Sequence, residues 1–295
     1  MMAVRKRKAN ESRPEGEKYA ELQRVRLGSR LLAYLPLRVT DELVGILREF
    51  KEKASAIGVS QFYIQTHFQS PLEVTPEARH AIEAILAAGW TITNQLVYTV
   101  SASRKGHTAK LRQTLNALGV VCYYTFSVKG FLENYAVYTP NSRSLQEARE
   151  EKIFGQVPEE KQAELYDMIR NQRPLGKCLV RFLKENGLLF AGTDRNVLNL
   201  PAIGKSMTFH TIGLTSEGKR ILKFDHDGSR RHSPIIDQMG EVYIVENKSV
   251  AAYLRQLKEM GEDVNEYRTI WNYWEHLTIY VRCHISDIHY TSHRA

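Results

Sequence analysis

The sequence predicts an α/β fold, a partial (βα) barrel of parallel strands followed by a C-terminal α+β region. The first observation is that short apolar segments rich in β-branched and aromatic residues alternate with amphipathic segments of helical period between about residues 26 and 126. The second is that Gly58, Gly89 and Gly119 follow the helical segments at regular spacing. Four strands joined by three helices are about half of an eight-unit barrel.

The elements of this half barrel can be placed in order. The predicted strands cover Arg26–Leu35, Phe62–Phe68, Thr91–Tyr98 and Val120–Phe126. Thr40 is the predicted N-cap of the first helix, and Thr75, followed by Pro76, is that of the second. The first strand is expected to be buried and to end at Pro36.

Three regions follow from this pattern. Residues 1–23 are a polar leader, residues 24–135 form the half barrel, and residues 136–295 form a helical and small-sheet region. In the last region, helices are predicted at 143–151 and 158–171, apolar pieces at 179–184 and 187–191, strands at 220–224 and 242–246, and a helix capped by Ser249.

Composition limits the class of protein. Hydrophobic residues make up 43% and charged residues 25%, which is typical of a globular protein with a sizeable core. No apolar run approaches the roughly 20 residues of a membrane span, and the N-terminus lacks the apolar stretch of a secretory signal. The three cysteines, Cys122, Cys178 and Cys283, are too scattered for a disulfide framework. A cytoplasmic protein without a membrane partner is predicted.

Two binding functions stay open as alternatives. The formal charge of +8 permits nucleic-acid binding through the basic leader, but no nucleic-acid-binding motif accompanies it, so nucleic acid is not an expected partner. His289 and His293, or the loop from Asp225 to His232, carry metal-ligating side chains. Histidines in a polar tail are more often solvated, and no metal site is predicted.

Lys205 is the first candidate for chemistry. It follows a turn containing Pro201 and Gly204, from which a lysine amine can form a Schiff base or bind a phosphate. A P-loop is excluded because Asn199 stands where that motif needs glycine. Considered alone, such a stretch more often holds a solvated lysine in a connecting loop.

His67 and Gln95 are the second candidates. They lie near the C-terminal ends of successive predicted strands, and in a βα barrel such ends converge on the active-site face. A helix-capping or core hydrogen bond is the alternative role for each.

Several segments resemble the lysine 2,3-aminomutase family. They are Arg26–Arg30, Leu35–Leu43, Thr66–Ala78, Asn94–Val97 and Cys122–Tyr124, within a resemblance that runs from about Val25 to Leu222. The Thr-His-Phe…Pro-x-Glu segment followed by Asn-Gln is the most specific part. The resemblance, which is greatest to long members with an extended C-terminal region, implies a radical S-adenosylmethionine and pyridoxal phosphate-dependent isomerase that moves an amino group within a small amino-acid substrate.

The resemblance also implies residue roles. His67 and Gln95 match residues that lie against S-adenosylmethionine, and Ser29 and Arg30 face the same cofactor. Lys205 matches the lysine that binds pyridoxal phosphate covalently. An imidazole and a carboxamide can satisfy the polar atoms of S-adenosylmethionine without adding charge.

The substrate positions depart from the family pattern. The lysine-specific enzymes hold the distal ammonium with two aspartates, and this chain has Val128 and its neighbours at one position and Asn199 at the other. Each charged hydrogen bond of this kind contributes roughly 1.5–3 kcal/mol. We therefore expect a less cationic substrate than free lysine.

The cluster ligands also depart from the pattern. The family holds a 4Fe-4S cluster with three cysteines spaced Cys-x3-Cys-x2-Cys, and Cys122, Cys178 and Cys283 cannot form that loop. The expectation is a C-terminal part of a longer enzyme, inactive alone and paired with an N-terminal half or with a second copy. The alternative is a non-catalytic truncated module that binds a partner polypeptide through an open sheet edge.

Overall fold

A computed structural model describes residues 22–126, 135–171, 175–200, 205–225, 242–246 and 248–273, with the backbone alone for 196–200, 205–210, 224, 225 and 242. The strands are β1 (Arg24–Gly28), β2 (Gln61–Thr66), β3 (Thr91–Val97), β4 (Val121–Phe126), β5 (Arg195–Leu200), β6 (Lys205–Leu214), β7 (Arg220–Asp225) and β8 (Val242–Val245). The helices are α1 (Leu31–Tyr34), α2 (Asp41–Ala56), α3 (Pro76–Ala87), α4 (His107–Ala117), α5 (Asn141–Glu150), α6 (Glu159–Asn171), α7 (Leu175–Glu185) and α8 (Val250–Glu259), and a 3-10 segment covers Val264–Asn272.

The strands pair in sequence order, and the predicted fold class is confirmed. In the N-terminal part, β1, β2 and β3 are parallel neighbours, with Gly28 opposite Gln65 and Thr66 opposite Asn94. Strand β4 is parallel to β5. From β5 to β8 each pair of neighbours is antiparallel, which is the C-terminal sheet that the sequence predicts.

The helix signals read from the sequence are confirmed by hydrogen bonds. Thr40 Oγ1 accepts from the Leu43 amide at 3.3 Å, and Thr75 Oγ1 accepts from the Ala78 amide at 3.2 Å. Ser249 Oγ caps α8 in the same way. An N-cap of this type contributes about 1 kcal/mol to stability, which helps to define where each helix begins.

The chain forms two compact units, each built from separated stretches. The first contains the described residues up to Leu96, together with Ala109–Tyr123 and Phe154–Asp194. Its core includes Phe62 against the ring of Trp90, with centroids 5.4 Å apart, and an apolar cluster formed by α6, α7 and Val121.

The second unit contains Val97–Thr108, Tyr124–Ile153 and the described residues from Arg195 onward. Its apolar core joins Val100 to residues of α8 and of the 3-10 segment. Within it, the hydroxyls of Ser103 and Tyr253 share a buried hydrogen bond of 2.8 Å. Among the helices that the structure describes in either unit, none combines the length and the apolar character needed to cross a lipid bilayer.

The prediction of one buried strand over Arg26–Leu35 is wrong. The strand β1 ends at Gly28, and Leu31–Tyr34 form the short helix α1, which contacts α3. Four of the five β1 residues are exposed, because β1 lies at the end of the strand order and pairs with β2 alone among the described strands. The apolar run reflects packing of α1, where Leu32 is buried, and not a longer strand.

The apolar piece at 179–184 lies in the helix α7, which covers Leu175–Glu185, and the piece at 187–191 follows that helix. Leu175, Leu179 and Phe182 are buried on one face of α7. Most of the leader lies outside the described residues. The predicted division at residues 23 and 135 stays a prediction.

Candidate functional site

His67 and Gln95 meet at the carboxyl ends of neighbouring parallel strands. The last registered pair of β2 and β3 is Thr66 opposite Asn94. The residues that follow this pair are His67 after Thr66 and Gln95 after Asn94. The backbone of Gln95 lies near enough to the His67 imidazole to affect its pKa. Gln95 is buried and His67 is half-buried. The structure therefore brings together the two residues that the sequence singled out at these strand ends.

The environment of His67 favours its neutral form. Partial burial lowers the pKa of the imidazole below its ordinary value of 6.5, and the positive charge of Arg30 lowers it further. The neighbouring Gln95 backbone opposes both effects without reversing them. A neutral imidazole both donates and accepts hydrogen bonds, so His67 can bind uncharged polar groups at this edge.

Ser29 and Arg30 follow β1 at the same edge of the sheet. The Ser29 amide donates to the Gln65 carbonyl at 2.9 Å, and its hydroxyl accepts from the Leu31 amide at 3.1 Å. The Arg30 guanidinium lies 4.4 Å from the centre of the Tyr34 ring and donates a hydrogen bond to the Tyr34 hydroxyl. Arg30 is thus near enough to influence His67 electrostatically, and it is exposed.

Gln65, a polar residue that the sequence did not single out, lies two residues before His67. Side chains alternate between the two faces of a strand, so Gln65 shares a face with His67, and its registered neighbour Thr93 shares a face with Gln95. The Gln65 side-chain oxygen is buried and has no hydrogen-bond partner. On its other side stands Gly28, where an added Cβ would meet nothing within 4 Å. Period-two alternation within Phe62–Phe68 is the signal that could have found Gln65.

A second missed residue is Asn94, on the opposite face of β3 from Gln95. Its Oδ1 accepts from the Phe68 amide at 2.7 Å, and its Nδ2 donates to the Phe68 carbonyl at 3.0 Å. Asn94 is 3% exposed and Phe68 is fully buried. The Asn94 carboxamide therefore binds both backbone groups of Phe68, the residue that follows His67.

Lys205 and Asn199 lie in the antiparallel pair formed by β5 and β6. Lys205 is the first residue of β6 and pairs with Leu200, and Asn199 pairs with Ser206. Lys205 therefore begins an antiparallel strand, and the turn that the sequence predicts at 201–204 lies outside the described residues. Val128, the other expected substrate-side residue, lies outside the described residues. The roles of Lys205, Asn199 and Val128 stay predictions.

The cysteines and metal ligands can be placed only in part. Cys122 is buried in β4, and Cys178 packs against the apolar cluster of α6 and α7. Across the described ranges, no group of three His, Cys, Asp or Glu side chains is arranged to hold a metal ion. The alternative ligands Cys283, His284, His289 and His293, and most of the loop from Asp225 to His232, fall outside those ranges.

The fold and this edge define a class, an α/β protein whose parallel strands present uncharged polar side chains at their carboxyl ends. No family model matches the chain. It is 28% identical over 255 residues to an uncharacterised KamA family protein of Methanocaldococcus jannaschii, a match that covers 85% of this chain and 34% of that one. The match to a putative L-lysine 2,3-aminomutase of Aquifex aeolicus is 34% identical over 119 residues, covering 39% and 31%.

A glutamate 2,3-aminomutase of Clostridioides difficile is 34% identical over 106 residues, which cover 36% of this chain and 23% of that enzyme. These matches show a relationship to the lysine 2,3-aminomutase family with partial coverage. The chain spans about a third of the length of the first two relatives and less of the third.

Proposed function

We propose that this chain supplies part of the active site of an amino-acid 2,3-aminomutase-like isomerase of the radical S-adenosylmethionine type. The observation that carries the proposal is the meeting of His67 and Gln95 at the carboxyl ends of β2 and β3. Relatives named as lysine and glutamate 2,3-aminomutases support the reaction class. The proposed cofactors are S-adenosylmethionine and pyridoxal phosphate.

The residues at this edge fit S-adenosylmethionine. A neutral imidazole and a buried carboxamide complement the uncharged polar atoms of the nucleoside, and the Arg30 guanidinium complements a carboxylate. In the proposed enzyme, S-adenosylmethionine supplies the radical and pyridoxal phosphate carries the migrating amino group. The protein's own task at this edge is to orient its ligand and to keep His67 neutral.

The described residues do not fit a 4Fe-4S cluster. Cys122 and Cys178 are committed to core packing, and the sequence has no Cys-x3-Cys-x2-Cys loop. No step is derived through the cluster. For the substrate, Asn199 replaces a carboxylate, so we propose an amino acid whose distal end is not a free ammonium.

Equilibrium binding of S-adenosylmethionine tests the cofactor edge. His67→Ala and Gln95→Ala are each expected to weaken binding about tenfold, because a lost hydrogen bond of about 1.4 kcal/mol corresponds to that factor. Gln61→Ala, at the amino end of β2, is the matched control and is expected to change nothing. Binding that is absent in the wild type, or unaffected by both site variants, would contradict the proposal.

Borohydride reduction in the presence of pyridoxal phosphate tests Lys205. We expect a pyridoxyl label on the peptide containing Lys205, and its loss in Lys205→Ala. Lys219, which forms an ion pair with Glu217 at 2.9 Å, is the control lysine in the same unit. Equal labelling of Lys205 and Lys219 would show an unselective surface amine and would remove Lys205 from the proposed site.

The exposed strand β1 favours a second candidate function, a module that binds a partner polypeptide. Among the described strands, β1 is paired on one side only, and an exposed edge is a template for another strand. Arg24→Glu and Arg26→Glu on β1 are expected to reduce association in sedimentation experiments, with Arg181→Glu on α7 as the control. A monomer at all concentrations, with no effect of the β1 variants, would speak against the module.

A further inference from the structure

The backbone that follows His67 is held at two points. Asn94 binds the amide and carbonyl of Phe68, as described above. The Glu73 carboxylate accepts from the amides of Gln69 at 2.6 Å and Ser70 at 3.3 Å. The three residues that follow His67 therefore all have their backbone amides bound by side chains.

Asparagine suits the first of these points, the buried backbone of Phe68, for a chemical reason. Its carboxamide carries a donor and an acceptor side by side, so one side chain can satisfy both the N–H and the C=O of a buried residue. Because Phe68 is fully buried, water cannot replace these hydrogen bonds. Any change that removes the carboxamide therefore removes both hydrogen bonds to Phe68, the residue after His67.

Asn94 does not lie on the face that would meet a ligand. Its side chain is on the opposite face of β3 from Gln95, and it is 3% exposed. We infer that Asn94 is a positioning residue, which holds the His67 imidazole against the Gln95 backbone by fixing the peptide of Phe68. Its effect on S-adenosylmethionine binding rests on the proposed function, whereas its effect on His67 does not.

The chain contains a matched control at another place in the same unit. Asn116 is 1% exposed, its Nδ2 donates to the Val120 carbonyl at 2.8 Å, and its Oδ1 accepts from the Ala191 amide at 2.8 Å. Asn116 therefore also donates one backbone hydrogen bond and accepts another, but its partners are two different residues, Val120 and Ala191. Replacing it removes equivalent interactions without touching the segment after His67.

The test is an NMR titration of the ligand-free protein with labelled histidine, in which His67→Gln assigns the His67 signal. In the wild type the pKa of His67 lies below 6.5. In Asn94→Ala we expect this pKa to move up towards 6.5, because the imidazole gains exposure and so loses the effect of burial, which is the largest of those that lower its pKa. In Asn116→Ala we expect the wild-type value. Asn94→Ser, which retains one hydrogen-bonding group, serves if the alanine variant does not fold.

The outcomes separate the inference from the proposed function. An unchanged His67 titration in a folded Asn94 variant, or an equal shift in Asn116→Ala, would overturn the positioning role. A shift confined to the Asn94 variants supports it, and we then expect about tenfold weaker S-adenosylmethionine binding in those variants. If the shift occurs and the wild type binds no S-adenosylmethionine, the positioning role stands and the proposed function fails.

Discussion

Arg112 and Asp194 form a buried ion pair with two parallel hydrogen bonds. Arg112 Nε donates to Asp194 Oδ1 at 3.0 Å, and Nη2 donates to Oδ2 at 2.8 Å. The two side chains are 3% and 4% exposed, and the guanidinium lies 5.7 Å from the centre of the Phe190 ring. The pair ties α4 to the segment that leads into β5, within the first unit.

Removing one partner of this pair is expected to be costly. Asp194→Ala leaves a buried guanidinium without its carboxylate and should lower the free energy of unfolding by about 3–5 kcal/mol. The double variant Arg112→Met with Asp194→Leu should recover much of the loss, because no uncompensated charge remains. Urea denaturation measures both. Equal losses in the single and double variants would show that the pair's hydrogen bonds, and not the stranded charge, dominate.

Gly119 is expected to be the least replaceable glycine among those with a positive φ. Its φ is +83°, and an added Cβ would lie 2.1 Å from the Cα of Gly176 in α7. Gly119→Ala should therefore cost the left-handed backbone penalty of about 1–2 kcal/mol. It should cost about 1–3 kcal/mol more because α7 must move.

Gly187→Ala is the control for this prediction. Its φ is +63°, but an added Cβ there meets nothing within 4 Å, so only the backbone penalty applies. Thermal and urea unfolding of the two variants give the difference. Equal losses would mean that the close approach of Gly119 and Gly176 relaxes at no cost.

The buried amine of Lys248 should make the free energy of unfolding depend on pH. Lys248 is fully buried, donates to the side-chain oxygen of Gln256, and lies 5.3 Å from the centre of the Tyr135 ring. Burial lowers the pKa of its amine to about 8, from 10.5. Between those two values the unfolded chain binds the proton and the folded chain does not, so Lys248 makes stability rise as the pH rises through this window.

Lys248→Met isolates this effect. Below pH 8 the folded protein bears the cost of a buried ammonium, so the variant should gain most, relative to the wild type, near pH 7. The gain should shrink as the pH rises towards 10. The measurement is the difference in the free energy of unfolding between the two proteins across this range. A difference independent of pH would show that the amine keeps its ordinary pKa in the folded state.

Features that depend on a few neighbouring residues were predicted well. Thr40, Thr75 and Ser249 cap the helices they were expected to cap. Gly58 and Gly89 adopt the positive φ that ends a helix. These signals are local because a cap or a left-handed turn is satisfied within three or four residues of chain.

Polar burial was not predicted. The sequence of α5 is typical of a solvated surface helix, yet Arg143 is fully buried, with its Nε bound to the Ser103 carbonyl at 3.0 Å and a guanidinium nitrogen bound to Glu151. The Ser103 partner is 40 residues away along the chain. A hydrophobic pattern cannot indicate such burial, because it registers apolar faces and not polar groups that find partners at a distance.

The sequence by itself determined that His67 and Gln95 stand at the ends of consecutive strands, because local hydrophobic patterns and turn residues indicate where each strand begins and ends. Only the tertiary structure decided that β1 is exposed, that the side-chain oxygen of Gln65 lies buried without a hydrogen-bond partner, and that Asn94 binds Phe68. The physical reason is register. Residues 26 positions apart become neighbours only when two parallel strands align, and that alignment depends on the whole sheet and the helices packed on it.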